Sequence, residues 1–450
     1  MEDNNKMATA PMFKLLVSMS LPAMFSMFIQ ALYNIVDGLF VSWLNEEAFI
    51  SVSLALPVQM ILISCAVGTG VGLNSLISRR LGEKRQEDAN LAATNGLFVA
   101  FVESVLFAII GISFAGKFMG MFAKDELIRG YGTQYLVIVM VFSFGMFVEI
   151  AIEKTLQATG NMFQPMMFHL VGAIINIILD PIFIFGLLGM PRLEVAGAAV
   201  ATVVSQIICF IVGATVFFHQ KNAVKISFKG FRPHIPSIKD IYAVGLPSMV
   251  MQSITAVLIV GMNAILGLYS ASAVFVVGVY AKLENFVFMP VFGLTQGALP
   301  IMGYNYGARN KERLVSCIKM STIIALVVLT FGMALIMLFS PELMMLFNAE
   351  KEAMTMGIPA LRIISLSFPL AAIGIINSNF FQAIGRGTVS LVLSVVRQLA
   401  VILPLVWILI KLIGIGSAWY AFPIAELVAT ILSVSWVNRI FRVDLNGYFS

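Results

Sequence analysis

Twelve long apolar runs dominate this chain, and each has the ~20 residues a helix needs to cross bilayer hydrocarbon. They fall at 14–43, 50–78, 91–115, 131–158, 165–188, 194–219, 239–268, 273–303, 314–339, 357–384, 389–412 and 416–438. Hydrocarbon offers no partner for a free N–H or C=O, so such runs satisfy their backbones internally, as helices. Several exceed the minimum and are expected to tilt or to extend beyond the lipid. Composition excludes the soluble alternative: 60% of the 450 residues are hydrophobic and 11% are charged, against about 25% charged in a soluble domain. The 35 glycines and 27 methionines suit helices packed closely in lipid. The expected fold is therefore an all-α integral membrane protein of twelve transmembrane helices. No cleavable signal is expected, since "MEDNNKMATAPMFK" is polar and mixed in charge and the run after it is too long for a signal h-region.

Basic residues orient the bundle. Of 28 Lys and Arg, with Lys14, Lys239 and Lys411 at run edges counted outside the runs, 17 lie at the two ends and in the loops after even-numbered runs, against 6 in the loops after odd-numbered ones. The positive-inside rule then puts both termini in the cytoplasm. The net charge of +5 is thus a topology signal, and no nucleic-acid partner is expected. The three cysteines, Cys65, Cys209 and Cys317, show no CxxC spacing, which excludes a disulfide framework and a local zinc site.

The chain repeats itself. "SLPAMF" is echoed by "GLPSMV", "RRLGEKRQ" by "YNYGARNK", and "LQATG" by "FQAIG". Pro22/Pro247, Gly82/Gly307, Gln157/Gln382 and Gly160/Gly385 are all 225 residues apart, half the chain. Six runs per half make the two halves parallel repeats. The expected division is an N-terminal lobe at 1–219, a cytoplasmic linker at 220–238 and a C-terminal lobe at 239–450. Two such lobes facing a cavity suit an alternating-access transporter. The duplicated Gln157–Gly160 and Gln382–Gly385 segments are expected to end helices.

One short stretch is chemically awkward. "NIILDPIFIFG" places Asp180 and Pro181 inside an apolar run. A charged Asp at mid-membrane costs roughly 2.5–3.5 kcal/mol on insertion scales. A proton, a bound cation or a watered cavity relieves that cost. Asn176 and Asp180 are four apart and share a helical face. Pro181 lacks an N–H, which loosens the bond to the Ile177 carbonyl and makes a hinge. Asp37 is a second acid in an apolar run. Two carboxylates sharing one site titrate as a unit, and one of them can hold a proton near neutral pH.

The ordered set "LPAMFSMFIQALYNIVDGLFV", "LGEKRQEDA", "QATGNMFQPM", "NIILDPIFIFG", "VAGAAVATVVSQ", "LENFVFMPVFGLTQGALPIMGYNYGARN" and "RQLAVILPL" resembles the multidrug and toxic compound extrusion (MATE) transporters over nearly the whole chain. The resemblance implies export of amphipathic organic cations in exchange for H⁺ or Na⁺, with no other cofactor. It implies a multi-pass protein of a bacterial-type plasma membrane, working in the lipid bilayer as a monomer. One branch of the family uses an acid in the seventh span, where this chain has Gln252 and no acid. The branch similar to DNA-damage-inducible and staphylococcal-type exporters instead uses a first-lobe site. Asp37, Asn176, Asp180 and Thr202 match its pattern position by position, although Gly38 stands where a hydroxyl residue is common. Hard oxygen ligands of this kind suit Na⁺ as well as H⁺.

Other polar residues within spans have blander readings. Lys282 and Glu284, two apart, do not face each other; Glu284, like Gln252 and Arg397, is a candidate either for the cavity or for structural charge. Arg397 and Glu426 are placed to pair. Glu149, Glu153 and Lys154 read as interfacial, and His169 as a packing residue. The alternative function within the same superfamily is a flippase, or an exporter of a lipid-linked precursor or specific metabolite. Such cargo calls for basic residues in the cavity, and the first-lobe spans are poor in them. An enzyme or ATP-driven pump is not expected, since HExxH, GxSxG and GxxxxGK[ST] are all absent.

Overall fold

The computed structural model describes residues 6–220, 222–444 and 448, and it is all-helical, with no strand among them. Ten helices are long and apolar enough to span a membrane: α1 (Met12–Ser42), α2 (Glu46–Gly82), α3 (Gln86–Phe122), α5 (Phe163–Phe185), α6 (Val195–His219), α7 (Ile235–Gly267), α8 (Ala271–Gly307), α9 (Lys311–Leu346), α11 (Gly387–Leu412) and α12 (Ile415–Val443). Two further spans, α4 (Glu126–Val141 and Phe144–Ala158) and α10 (Lys351–Ser365 and Phe368–Ala383), bend by 46° and 48° at a short break. Each expected apolar run is therefore a helix, and most extend past the run. The 37 residues of α2 measure about 55 Å at the helical rise, well beyond the ~30 Å of hydrocarbon.

Local chemistry explains the breaks and ends. At both bends a serine closes the gap in the backbone ladder. Ser143 donates to the Met140 carbonyl at 2.8 Å and Ser367 to the Ile364 carbonyl at 2.6 Å. Asn45 caps α2 by accepting from the Ala48 N–H, and Ser270 caps α8 by accepting from the Ala273 N–H. α4 ends at Ala158 and α10 at Ala383, each followed by a left-handed glycine, Gly160 (φ 87°) and Gly385 (φ 86°). That conformation is what glycine supplies without strain. The duplicated segments thus end helices, as the sequence predicts. Lys84 (φ 60°) and Arg309 (φ 55°) are left-handed too, so the internal repeat extends to the backbone angles.

The helices form two compact units, Phe25–Met249 and Met1–Met24 with Val250–Ser450. The division falls inside α1 and α7, a few residues after Pro22 and Pro247, and not in the segment between the halves. Glycines show why. A Cβ on Gly72 would meet the Ile241 carbonyl oxygen at 2.1 Å, and one on Gly68 the Met249 side chain at 2.4 Å. The start of α7 therefore lies directly on α2. In the other unit, a Cβ on Gly293 would meet Met24 at 2.4 Å and one on Gly297 would meet Ser20 at 2.6 Å, so the start of α1 lies on α8. Small residues one turn apart permit this close approach of backbones.

Candidate functional site

In the Phe25–Met249 unit, α5 and α6 pack with little between them. The buried face of α6 begins Val195, Gly197, Ala198, Ala199, Ala201, Thr202, and a Cβ on Gly197 would collide with the Phe183 backbone at 2.5 Å. Small side chains along this seam bring Thr202 close to the polar stripe of α5. On α5, Asn176 and Asp180 are buried one turn apart, 1% and 0% exposed. The helix runs unbroken through Pro181 to Phe185 and ends at left-handed Gly186.

The second acid arrives from α1. Asp37 stands within hydrogen-bonding reach of Asp180, and Asn176 Nδ2 donates to Asp180 Oδ1 at 3.4 Å. Tyr33, one turn before Asp37, brings its hydroxyl beside Thr202, although no well-aligned hydrogen bond forms at Thr202 Oγ1. Asp37 Oδ1, Asn176 Oδ1, Asp180 Oδ2 and Thr202 Oγ1 are all buried without a hydrogen-bond partner. Buried polar atoms are normally satisfied, so four unsatisfied oxygens on three helices of one unit single this place out. Oxygens of this kind are the donors that a proton or a small hard cation takes. Two carboxylates at this distance repel unless something positive sits between them.

The sequence reading missed two members of this site. Tyr33 shares a face with Asp37. Tyr135, on the first segment of α4, is 2% exposed, lies near both acids and accepts from Gln59 Nε2 at 2.7 Å. The four-residue spacing of Tyr33 and Asp37 was the available signal. Nothing local marks Tyr135.

The remaining candidates lie in the other unit. Arg397 Nη1 pairs with Glu426 Oε1 at 2.8 Å, on a π-helical turn of α11, Val396–Ile402. Glu284 bonds Tyr280 near that pair, Lys282 lies over the Phe347 ring, and Gln252 is exposed on α7. The reading of Glu149, Glu153 and Lys154 as interfacial is corrected. All three are less than 9% exposed, because the second segment of α4 is enclosed by α2, α3, α5 and α6. His169 is likewise more than a packing residue, since its Nε2 lies 3.4 Å from Glu153 Oε2. A further buried acid, Glu103, accepts from Thr69 at 2.7 Å and from Tyr242 at 2.6 Å.

The chain matches the MatE family model over residues 22–182 and 247–408. Among characterised proteins, it is 26% identical to the multidrug export protein MepA of Staphylococcus haemolyticus, over 94% of this chain and 92% of that one. Among solved structures, a MATE protein in the bent conformation superposes with a TM-score of 0.90 at 29% identity, covering 97% of this chain and 96% of that one. A transporter of the MOP superfamily from Pyrococcus furiosus, described as having a binding pocket of reverse polarity that suggests a different function, superposes with a TM-score of 0.89 at 27% identity over 99% of both chains.

Proposed function

The chain belongs to the MatE family, and from that premise we propose that it is a secondary active antiporter exporting amphipathic organic cations in exchange for H⁺ or Na⁺. The ion is held by Asp37, Asn176, Asp180 and Thr202, with Tyr33 beside them. The observation that carries this reading is the set of four unpartnered oxygens on α1, α5 and α6. The name of the staphylococcal relative, a multidrug export protein, supports the choice of cargo. So does the scarcity of basic side chains in the spans of the first half.

The mechanism follows from charge. With no ion bound, Asp37 and Asp180 repel, and at least one buried charge is uncompensated. A bound cation or proton cancels that charge and draws α1 toward α5 and α6. Pro181 leaves the Ile177 carbonyl without its helical donor, which supplies a further oxygen and a place for α5 to bend. The two arrangements of these helices differ in cargo affinity, and the coupling is reciprocal: the ion weakens cargo binding by the factor by which cargo weakens ion binding. On this reading the protein works as a monomer in a plasma membrane, with both termini in the cytoplasm; the distribution of basic residues supports the placing of the termini.

Reconstituted Asp180→Asn protein should bind a fluorescent organic cation yet fail to accumulate it under either a pH or a sodium gradient. Driving the unmodified carrier with each gradient separately identifies the coupling ion. Accumulation by Asp180→Asn at the unmodified rate would refute the assignment. The second reading, an anionic or lipid-linked cargo, draws on the reverse polarity described for the Pyrococcus relative. It wins if neither gradient moves organic cations and a lipid-linked sugar is scrambled instead.

A further inference from the structure

A second group of ionisable side chains lies in the same unit, and the ion-exchange reading does not use it. On α4, Glu149, Glu153 and Lys154 are 7%, 4% and 6% exposed. Lys154 Nζ pairs with Glu153 Oε1 at 3.0 Å and donates to Gln157 Oε1 at 3.0 Å. Gln157 Nε2 donates back to Glu153 Oε1 at 2.6 Å. On α5, His169 Nε2 lies 3.4 Å from Glu153 Oε2, with its side chain 24% exposed. One donor atom each from Glu149, Glu153 and His169 lies within 4.8 Å of the other two. Glu149 Oε1 is buried with no hydrogen-bond partner.

Charge counting decides what belongs there. Two carboxylates and one ammonium leave one negative charge uncompensated, and an unpaired charge in a buried site is strongly disfavoured. A divalent ion would overshoot and leave a buried positive charge. One monovalent positive charge makes the cluster neutral. Apart from His169, no described group facing it from the packed helices supplies that charge. α6 presents the Cys209 thiol near Glu149. α2 presents Gly70, tight against the Lys154 side chain. α3 presents Phe107 against Phe147, and its acid Glu103 is engaged by Thr69 and Tyr242.

We propose that Glu149, Glu153, Lys154 and His169 form a second proton site, holding one exchangeable proton between Glu149 and His169. It does not depend on the role given to Asp37 and Asp180. The imidazole is the more exposed of the paired groups and is the point at which we place proton exchange. His169 and Asp180 are eleven residues apart on α5, three helical turns, so they share one face about 16 Å apart. Asn176 lies on that face between them, and Gly172 admits Cys209, whose thiol donates to the Phe168 carbonyl at 3.2 Å. The two sites can therefore exchange influence along one side of a single helix.

The test uses full-length protein in nanodiscs carrying His219→Gln and His234→Gln, which leaves His169 as the only histidine. Ring ¹⁵N spectra report the imidazole charge, and infrared spectra report protonated carboxyl groups. At neutral pH one of the two groups, His169 or Glu149, should carry the extra proton, lost in a single-proton step as pH rises. Adding Glu149→Gln should lower the ratio of charged to neutral imidazole by at least about tenfold. Adding Asp180→Asn should leave the step in place, so failure of the ion-exchange reading stays distinguishable from failure here. Finding neither group protonated, or both, would overturn the proposal. So would tight binding of one Zn²⁺ per protein that disappears in His169→Gln, which would make the cluster a metal site. Should Glu149→Gln not fold, the spectra of the single-histidine protein decide alone.

Discussion

Thr202 carries a hydroxyl that the fold itself does not use. A buried polar group without a partner costs about 1–3 kcal/mol relative to a satisfied one, and Thr202 Oγ1 is in that state. Thr202→Val keeps the shape and removes the penalty. It should therefore leave the melting temperature unchanged or higher in ion-free buffer. It should also weaken binding of the coupling ion by roughly tenfold, the loss of about 1.4 kcal/mol. Melting curves across an ion titration measure both at once, because a ligand stabilises the state it binds in proportion to the logarithm of its concentration. A variant that melts lower and keeps its ion response would show that the hydroxyl is structural. Tyr33→Phe tests the neighbouring contact: it removes only the hydroxyl beside Thr202, and the ion response should weaken without loss of fold. Asp37, Asn176, Asp180 and Thr202 were legible because polar residues in an apolar run demand a reason and because their pattern resembles that of a known family. Tyr33 was not, since a tyrosine in a span is ordinarily an interfacial or packing residue. Glu149 and Glu153 were misread because nearness to a helix end in sequence says nothing about how many neighbours enclose that end.

Glycine pairs at the scale of the helix decide which unit each half of α1 and α7 joins. Gly72 has no room for a side chain, with the Ile241 carbonyl oxygen 2.1 Å from where its Cβ would sit. That obstacle is backbone, so Gly72→Val must push α7 off α2. We expect loss of folded protein, or destabilisation at the upper end of what single substitutions produce, above about 4 kcal/mol. Gly38 is the control: nothing lies within 4 Å of its Cβ position, and alanine is the better helix former. Gly38→Ala should be neutral or slightly stabilising. Fluorescence-detected size exclusion after heating separates the two, and equal behaviour would mean that the close approach at Gly72 does not hold the start of α7 on α2. The twelve spans could be read from hydrophobic length alone, since hydrocarbon imposes helices on long apolar runs. The bends in α4 and α10 could not: Pro369 follows the break in α10, but the break in α4 has only Ser143 and no proline, and a serine in a span is not by itself a breaker. The unit boundary inside α1 and α7 was also hidden: apolarity shows that a helix is buried, not which neighbours bury it.

The whole molecule is a duplication that kept its framework and diverged in its chemistry. Asn45 and Ser270 cap equivalent helices, Gly160 and Gly385 end equivalent spans, and Gly68/Gly72 recur as Gly293/Gly297. The residues of the proposed ion site do not recur. The positions 225 residues after Asp37, Asn176, Asp180 and Thr202 are Met262, Val401, Leu405 and Leu427. Those after Glu149, Glu153, Lys154 and His169 are Gly374, Ser378, Asn379 and Ser394. One half therefore holds buried acids at positions where the other, 225 residues on, has uncharged side chains. A cation can act directly only where it has something to bind. Hydrogen–deuterium exchange should therefore show ion-dependent protection in α5, α6 and the part of α1 after Phe25. The equivalent α11 and α12 should exchange alike with and without ion in cargo-free protein. Equal protection in both halves would mean that the second half carries its own ion site, and the cluster of Glu284, Arg397 and Glu426 would be the place to look. Because Arg397 already neutralises one of those acids through a 2.8 Å pair with Glu426, that site would have to work with Glu284. Glu284→Gln then becomes the deciding variant, since it should abolish second-half protection while leaving α5 and α6 unchanged.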